Sequence, residues 1–147
     1  MSYLETKRNT LMNSIASGPT NLFEGLTWKK RTYNEDGYTI GTKTANGRCH
    51  EEEFITMKVG ETYYVRIIRP NNTVWHDCEL YDSDKNYMGR LNWNYASVAR
   101  GTTFTATQPF LRYSGQLGIP TASLKLCKDG EQDDIEYVYI NPDDVPD

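Results

Sequence analysis

Turn-forming pairs and triplets recur along this chain and separate short segments rich in Val, Ile, Thr and aromatic residues. They are Asp36-Gly37, Asn46-Gly47, Val59-Gly60-Glu61, Pro70-Asn71-Asn72, Arg100-Gly101 and Asp129-Gly130. Glycine and asparagine adopt the backbone conformations that tight turns require, whereas β-branched and aromatic residues favour strands. After Pro19 no segment reads as a helix of normal length. The sequence therefore predicts an all-β fold, an antiparallel β-sandwich of the jelly-roll type.

Ten candidate strands lie between these turns. They are predicted at 27–33, 38–44, 53–58, 62–69, 73–81, 87–93, 102–107, 110–113, 122–127 and 135–140. The segments at 53–58 and 62–69 both alternate apolar and polar residues, and the turn at Gly60 between them predicts a hairpin. The segment 116–121 contains Gly118 and Pro120, so we expect a loop that crosses between sheets.

The first eighteen residues differ from the rest of the chain. Ser2-x-x-Glu5 has the pattern of a capping box, and Gly18-Pro19 would end a helix. The apolar residues between them have helical spacing and form a narrow stripe: Leu4, Leu11, Met12 and Ile15. Such a short helix is not stable alone. We therefore expect the helix to dock, either on its own sandwich or on a neighbouring copy or particle. The chain is thus predicted to consist of an attachment segment (1–18) and a sandwich domain (19–147).

Length and charge limit the classes of function. With 147 residues the chain forms one domain. Its net charge of -4 argues against a general nucleic-acid binder. No apolar run approaches membrane-spanning length, and the polar start of the chain predicts no secretory leader. The three cysteines, Cys49, Cys78 and Cys127, are far apart and odd in number, so we expect reduced core thiols and folding in a reducing cytosol.

Catalytic and metal-binding signals are weak. The two histidines, His50 and His76, fall in different segments, and no nucleophile, zinc-protease or phosphate-binding motif is present, so we predict no enzyme and no cofactor. Cys49-His50-Glu51 and His76-Asp77-Cys78 have zinc-ligand chemistry, but adjacent strand residues point to opposite faces. The alternative is buried thiols beside exposed polar residues, and we predict no metal site.

One segment resembles the start of a calcium-binding loop. In Asp82-x-Asp84-x-Asn86, oxygen ligands alternate as they do around Ca²⁺. The glycine expected next is replaced by Tyr87, and no glutamate closes the loop. The choice between a calcium site and a solvated acidic turn stays open at this point.

A pair of neighbouring segments carries the aromatic residues of a candidate glycan site. On 73–81, Trp75, Asp77 and Tyr81 share one face, and further on Trp93 and Tyr95 share another. Aromatic rings stack on the apolar faces of sugars, and carboxylates bond their hydroxyl groups. These five residues are the predicted ligand-binding residues. The alternative is that the two tryptophans face the core or a subunit interface.

Several motifs of the chain follow one another as they do in a known class of domains. The motifs are Asn21-Leu22-Phe23, the strand from Asp36 to Ile40, the segment from Phe54 to Val65, Thr102 to Thr107, and the closing stretches Leu124 to Gly130 and Tyr137 to Val145. In this order they resemble the carbohydrate-binding-module-like sandwich domains of phage tail, baseplate and head-decoration proteins, over roughly residues 20–145. In the closing strand Cys127 replaces the usual glutamate of the family, so no role of that glutamate is carried over.

The resemblance implies a non-enzymatic accessory protein of a phage virion, located on the tail, the baseplate or the capsid. It implies assembly in the host cytoplasm with other virion proteins, as a homo-oligomer for which a trimer is favoured. Host cell-surface glycans are the implied ligand. A purely structural decoration protein without glycan binding is the alternative.

Overall fold

The computed structural model of the protein describes residues 18–29, 47–50, 53–68, 76–92, 94–116 and 122–140. Its strands form two antiparallel sheets, and its helices are short. This confirms the prediction of an all-β fold. The N-terminal segment, with Leu4, Leu11, Met12 and Ile15, lies outside the described residues.

The larger sheet has six described strands. They are β1 (Trp28–Lys29), β2 (Gly47–His50), β3 (Ile55–Thr56), β5 (His76–Tyr81), β6 (Tyr87–Arg90) and β8 (Phe110–Gln116). The order across the sheet is β1-β2-β8-β5-β6, and β3 also pairs with β8. Since β2 pairs with one end of β8 and β3 with the other, β8 is the long strand around which this sheet is organised.

The smaller sheet has four described strands, β4 (Thr62–Ile68), β7 (Thr102–Thr105), β9 (Ala122–Lys128) and β10 (Val138–Ile140). Their order is β10-β9-β4-β7. The central pair, β4 and β9, is aligned from Tyr63 opposite Lys128 to Ile68 opposite Ser123. A 3₁₀ helix, η1 (Gln132–Asp134), lies between β9 and β10.

The two sheets share one hydrophobic core. Along β4 the residues Tyr63, Val65 and Ile67 are buried, while the residues between them are not. This two-residue alternation places one face of the strand against the core. The larger sheet contributes buried residues from β3, β5 and β8, and the smaller one from β4, β9 and β10: Ile55, Cys78, Leu80, Leu111, Tyr113, Tyr63, Val65, Ile67, Leu124, Leu126 and Ile140.

The predicted hairpin around Gly60 is wrong. Strand β3 pairs with β8 in the larger sheet, whereas β4 pairs with β7 and β9 in the smaller one. The turn therefore crosses between the sheets. Its backbone bonds go to Ala106, because Gly60 N–H donates to the Ala106 carbonyl at 2.8 Å and Ala106 N–H donates to the Glu61 carbonyl at 2.9 Å. A glycine turn between two alternating strands has the same local pattern in both topologies.

The segment around Trp93 and Tyr95 is not one extended strand. Strand β6 ends at Arg90, and a helix, α1 (Tyr95–Arg100), follows. The Asn94 side chain accepts a hydrogen bond from Ser97 N–H at 3.0 Å, which caps the helix N-terminus. The helix packs against β4 and ends at Gly101, whose φ of 95° favours glycine.

Asn21 ties the start of the described chain to the smaller sheet. Its side-chain amide donates to the carbonyls of Leu124 and Glu136, both at 2.9 Å. Its side-chain carbonyl accepts from Phe23 N–H and Leu126 N–H. The Asn21-Leu22-Phe23 motif is therefore an anchor for the first segment, and Phe23 enters the core behind it.

Candidate functional site

Tyr81, one of the predicted glycan ligands, is fully buried. The ring of Phe54 contacts it edge-on with centroids 5.1 Å apart. The Arg112 guanidinium lies 4.7 Å from its ring centroid and donates a hydrogen bond to its hydroxyl at 3.0 Å. The interpretation of Tyr81 as an exposed ring that could stack on a sugar is therefore wrong.

Glu79 on β5 is buried beside Tyr81. It lies two residues earlier on the strand, and its carboxylate accepts two hydrogen bonds from Arg90 Nε at 3.0 and 3.2 Å. Burial and a hydrogen bond to Glu79 raise the pKa of Tyr87 to about 12. The side chains of Glu79 and Tyr81 are thus covered and are bonded within the protein.

The other predicted glycan ligands do not come together with Tyr81 in the described part of the chain. Trp75 and Trp93 lie outside the described residues. Asp77 is placed by its backbone on β5, opposite Ser114, but its side chain is not described. Tyr95 is the first residue of α1, half-buried, and this helix packs against the smaller sheet. Tyr81 and Tyr95 therefore belong to different layers.

The structure places a different group of aromatic residues on an accessible surface. We call it the tyrosine face, the outer surface of the smaller sheet formed by Tyr64, Arg66, Lys125, Tyr137 and Tyr139. Tyr139 is 63% exposed, and the other four are half-buried. Strand register brings them together, since Arg66 lies opposite Lys125 and Tyr139 lies opposite Ser123 on the same strand as Lys125.

Close contacts hold the centre of the tyrosine face. Lys125 Nζ lies 4.2 Å from the centroid of the Tyr137 ring, a cation–π contact. Arg66 Nη1 donates to the Tyr137 hydroxyl at 3.1 Å. The Tyr137 and Tyr139 rings are 6.3 Å apart and tilted by 44°. The face is thus an ordered arrangement of aromatic rings and cations.

Flanking elements define the edges of the tyrosine face. On one side Arg66 Nε donates to the Ala99 carbonyl of α1 at 3.0 Å. On the other side Lys125 Nζ donates to the Gln132 carbonyl of η1 at 2.9 Å. Burial raises the pKa of Tyr64, and the neighbouring Tyr137 raises it further. Tyr64 is therefore a neutral phenol at physiological pH.

Cys127 lies next to Tyr64 on the same side of the smaller sheet. It is fully buried and forms no disulfide. Burial raises the pKa of the Cys127 thiol to about 11, and the nearby Glu131 acts in the same direction. Cys127 is thus a neutral packing group in this structure.

A pocket of about 520 Å³ is a second candidate site. It lies beside the start of the described chain and is lined by Gly18, Thr20, Leu22, Thr56, Tyr63, Lys128 and Glu131. Two of its polar groups are bonded within the protein. Lys128 Nζ is 3.7 Å from a Glu61 carboxylate oxygen, and the Tyr63 hydroxyl accepts from Lys58 N–H at 2.7 Å. The tyrosine face differs from this pocket because it combines three aromatic rings with two cations.

The calcium-like segment forms a tight turn between β5 and β6. One Asp82 carboxylate oxygen accepts hydrogen bonds from the backbone N–H groups of Asp84 and Asn86, both at 2.9 Å, and these bonds contribute to a lowered pKa of Asp82. The carboxylate thus stabilises the turn itself. Among the residues that the structure describes, no group of three His, Cys, Asp or Glu side chains could hold a metal ion.

Comparisons with known proteins identify no relative. The chain matches no protein-family model, no curated protein and no solved structure. No helix in the described ranges is long and apolar enough to cross a membrane.

The sequence contained a signal for the tyrosine face that the prediction of the site did not use. Tyr64 and Arg66 are two residues apart, and so are Tyr137 and Tyr139, which places each pair on one side of its strand. The sequence does not show that these two strands lie in the same sheet. That information comes from β9, which pairs with both β4 and β10.

Proposed function

We propose that this chain is a non-enzymatic accessory protein of a phage virion, on the tail, the baseplate or the capsid, and that its tyrosine face contacts host surface glycans. In this proposal the two sheets form a carbohydrate-binding-like sandwich of the jelly-roll type. The resemblance of the sequence motifs suggests the phage setting. The structural observation that supports binding is the group of tyrosines and cations on the outer surface of one sheet, where Tyr139 is exposed and the other members are half-buried.

The chemistry of the tyrosine face suits sugars. A tyrosine ring has an apolar surface that packs against the C–H groups of a pyranose, and its hydroxyl forms hydrogen bonds with sugar hydroxyls. Arg66 and Lys125 add N–H donors between the rings. Since Tyr137 is held by contacts to both cations, part of the surface is ordered before a ligand binds, and this lowers the entropic cost of binding.

The alternative is a structural decoration protein that uses the same face as a subunit contact. Tyrosine and arginine are both enriched in protein interfaces. The burial of Tyr81 favours this alternative, because it removes one of the glycan-binding residues expected from the sequence. Both versions include assembly as a homo-oligomer, with a trimer favoured, and attachment to other virion proteins through residues 1–18.

Glycan binding is tested with one variant and one matched control. Tyr139→Ala removes the most exposed ring of the tyrosine face, whereas Met88→Ala removes a 51% exposed side chain from the larger sheet. Purified protein is screened on a glycan array, and the affinity for each hit is measured by calorimetry. We expect Tyr139→Ala to weaken binding about fivefold, which corresponds to about 1 kcal/mol of lost stacking, while Met88→Ala binds as wild type does.

Two results would count against glycan binding by this face. One is a wild-type protein that binds no glycan, which leaves the structural alternative. The other is equal affinity of the two variants. The attachment role of the N-terminal segment is tested separately by deletion of residues 2–17, which should abolish oligomerisation or particle attachment. Normal assembly of the deletion variant would refute that role.

A further inference from the structure

Two like charges face each other at the centre of the tyrosine face. Arg66 on β4 and Lys125 on β9 are direct cross-strand partners on the same side of the sheet. The Cβ atoms of such partners are about 5 Å apart, and like charges in this arrangement destabilise a sheet. A carboxylate between the two cations, from the protein or from a ligand, would relieve this repulsion.

The protein itself supplies no such carboxylate in the described part of the chain. Arg66 and Lys125 form no ion pair with any described residue, and their partners are the neutral carbonyls of Ala99 and Gln132 and the ring and hydroxyl of Tyr137. By contrast, Arg90 and Lys128 elsewhere in the protein are each paired with a glutamate. In a chain of net charge -4, these two neighbouring cations give the tyrosine face a local positive charge.

Both cations retain hydrogen-bond donors for a ligand. A guanidinium has five N–H donors and an ammonium has three. The structure uses two donors of Arg66 and one of Lys125 in the contacts above. A carboxylate oxygen pair placed between them would accept charge-assisted hydrogen bonds from both, and such bonds are stronger than neutral ones.

We infer that the tyrosine face selects glycans that carry a carboxylate on the sugar ring, such as uronic acids, with the carboxylate between Arg66 and Lys125 and the ring against Tyr137 or Tyr139. This inference rests on the proposed function, which it narrows to a ligand class. Tyr137 contacts both cations, so the anionic group and the stacking surface lie within the length of one monosaccharide. A carboxylate attached directly to the ring meets this requirement.

Acidic residues at the edge of the face argue against densely charged polymers. The segment after β9 contains Asp129, Glu131, Asp133 and Asp134, and Asp133 is close enough to Tyr64 to contribute to its raised pKa. A nucleic acid or a polyphosphate would bring charges close to these carboxylates and be repelled. An isolated carboxylate on a sugar reaches the cations without that cost.

The test compares a uronic acid with its methyl ester, which keeps the sugar ring but lacks the charge. Wild-type protein is titrated by calorimetry with methyl galacturonoside and with the methyl ester of this galacturonoside, at low and at moderate salt. We expect the acid to bind about tenfold more tightly than the ester, with a preference that falls as salt rises. Glycerol phosphate oligomers and a single-stranded DNA oligonucleotide serve as anionic ligands without a uronate ring.

Lys125→Gln is the decisive variant, and Lys58→Gln is its control, because Lys58 is an exposed lysine in the turn between the sheets. Lys125→Gln should lose most of the preference for the acid and should unfold close to the wild-type temperature, since the repulsion that it removes offsets the lost contacts with Tyr137 and the Gln132 carbonyl. Lys58→Gln should keep the preference. A variant that unfolds well below the wild-type temperature is replaced by Lys125→Met, for which the same loss is expected.

The outcomes separate the two proposals. Equal binding of acid and ester by wild type overturns the inference but leaves the proposed function intact. Absence of binding to every glycan overturns both. Tighter binding of the phosphate oligomer or the oligonucleotide than of the galacturonoside overturns the choice of a uronate, and so does an unchanged acid preference in Lys125→Gln.

Discussion

Replacement of Asn21 by alanine should lower the stability of the protein more than the small size of the asparagine side chain suggests. The side chain is 3% exposed and takes part in four hydrogen bonds. It donates to the carbonyls of Leu124 and Glu136, both at 2.9 Å, and accepts from the N–H groups of Phe23 at 3.1 Å and Leu126 at 3.3 Å. These bonds join the first described segment to β9 and to the residues just before β10.

The expected loss follows from these contacts. A buried hydrogen bond contributes about 1 kcal/mol net, and removing one partner of a buried pair adds a desolvation cost for the group left behind. With the longest of the four bonds discounted, Asn21→Ala should reduce the free energy of unfolding by about 3 kcal/mol. For a chain of this size that lowers the melting temperature by about 6–12 °C.

The assay is urea and thermal unfolding followed by circular dichroism, with Asn92→Ala as the control. Asn92 is an exposed asparagine between β6 and α1, so its replacement should change stability by less than about 0.5 kcal/mol. The urea m-value should stay constant, because the exposed area of the unfolded chain is the same. An Asn21→Ala midpoint that matches the Asn92→Ala midpoint would refute the anchoring role.

Asn21→Asp gives a second readout for the same site. A carboxylate keeps both acceptor positions but cannot donate to the two carbonyls, and burial also disfavours its charged form. The folded protein should therefore raise the pKa of the introduced carboxyl above its unfolded value. Stability of this variant relative to wild type should be highest in acid and should fall as pH rises through the folded pKa. A pH-independent difference would contradict this reasoning.

Three further predictions concern other parts of the fold. Arg90→Met should destabilise the protein by about 2 kcal/mol because it leaves the Glu79 carboxylate buried without its cation, and the double variant with Glu79→Gln should recover part of the loss in urea unfolding. Gly101→Ala should cost about 1–3 kcal/mol more than Gly60→Ala, since both have positive φ but only a Cβ at position 101 collides with a tyrosine hydroxyl. The pKa of Tyr87 is raised to about 12 in the folded protein. Its contribution to the free energy of unfolding is therefore complete below pH 10 and is lost as the pH rises towards 12. Tyr87→Phe should flatten the pH profile of unfolding in that range.

Each of these predictions has a result that would contradict it. For the ion pair it is a double variant no more stable than Arg90→Met alone. For the glycines it is an equal loss at the two positions, which would mean that backbone strain accounts for the whole effect. For the phenol it is an alkaline profile of Tyr87→Phe that coincides with that of wild type.

The alternation of apolar and polar residues within a single strand was predictable because it depends only on residues that are neighbours in the sequence. The segment predicted at 62–69 is strand Thr62–Ile68, and the one predicted at 122–127 is strand Ala122–Lys128. In Thr62–Ile68 the buried residues also follow the two-residue period. The sequence by itself thus determined the all-β class, the position of several strands and the side of Thr62–Ile68 that enters the core.

The tertiary structure alone decided which strands are neighbours and which surfaces are open. The turn at Gly60 is compatible with a hairpin and with a crossing, and the pairing of β3 with β8 selects the crossing. The two-residue period of a strand predicts that Leu80 and Tyr81 on β5 lie on opposite faces of the sheet. Both are nevertheless buried, because a central strand can be covered on both faces. The tyrosine face exists because β9 pairs with both β4 and β10 and so joins Tyr64 to Tyr139 across long stretches of sequence. Such contacts depend on the packing of the whole chain, and no local pattern of residues encodes them.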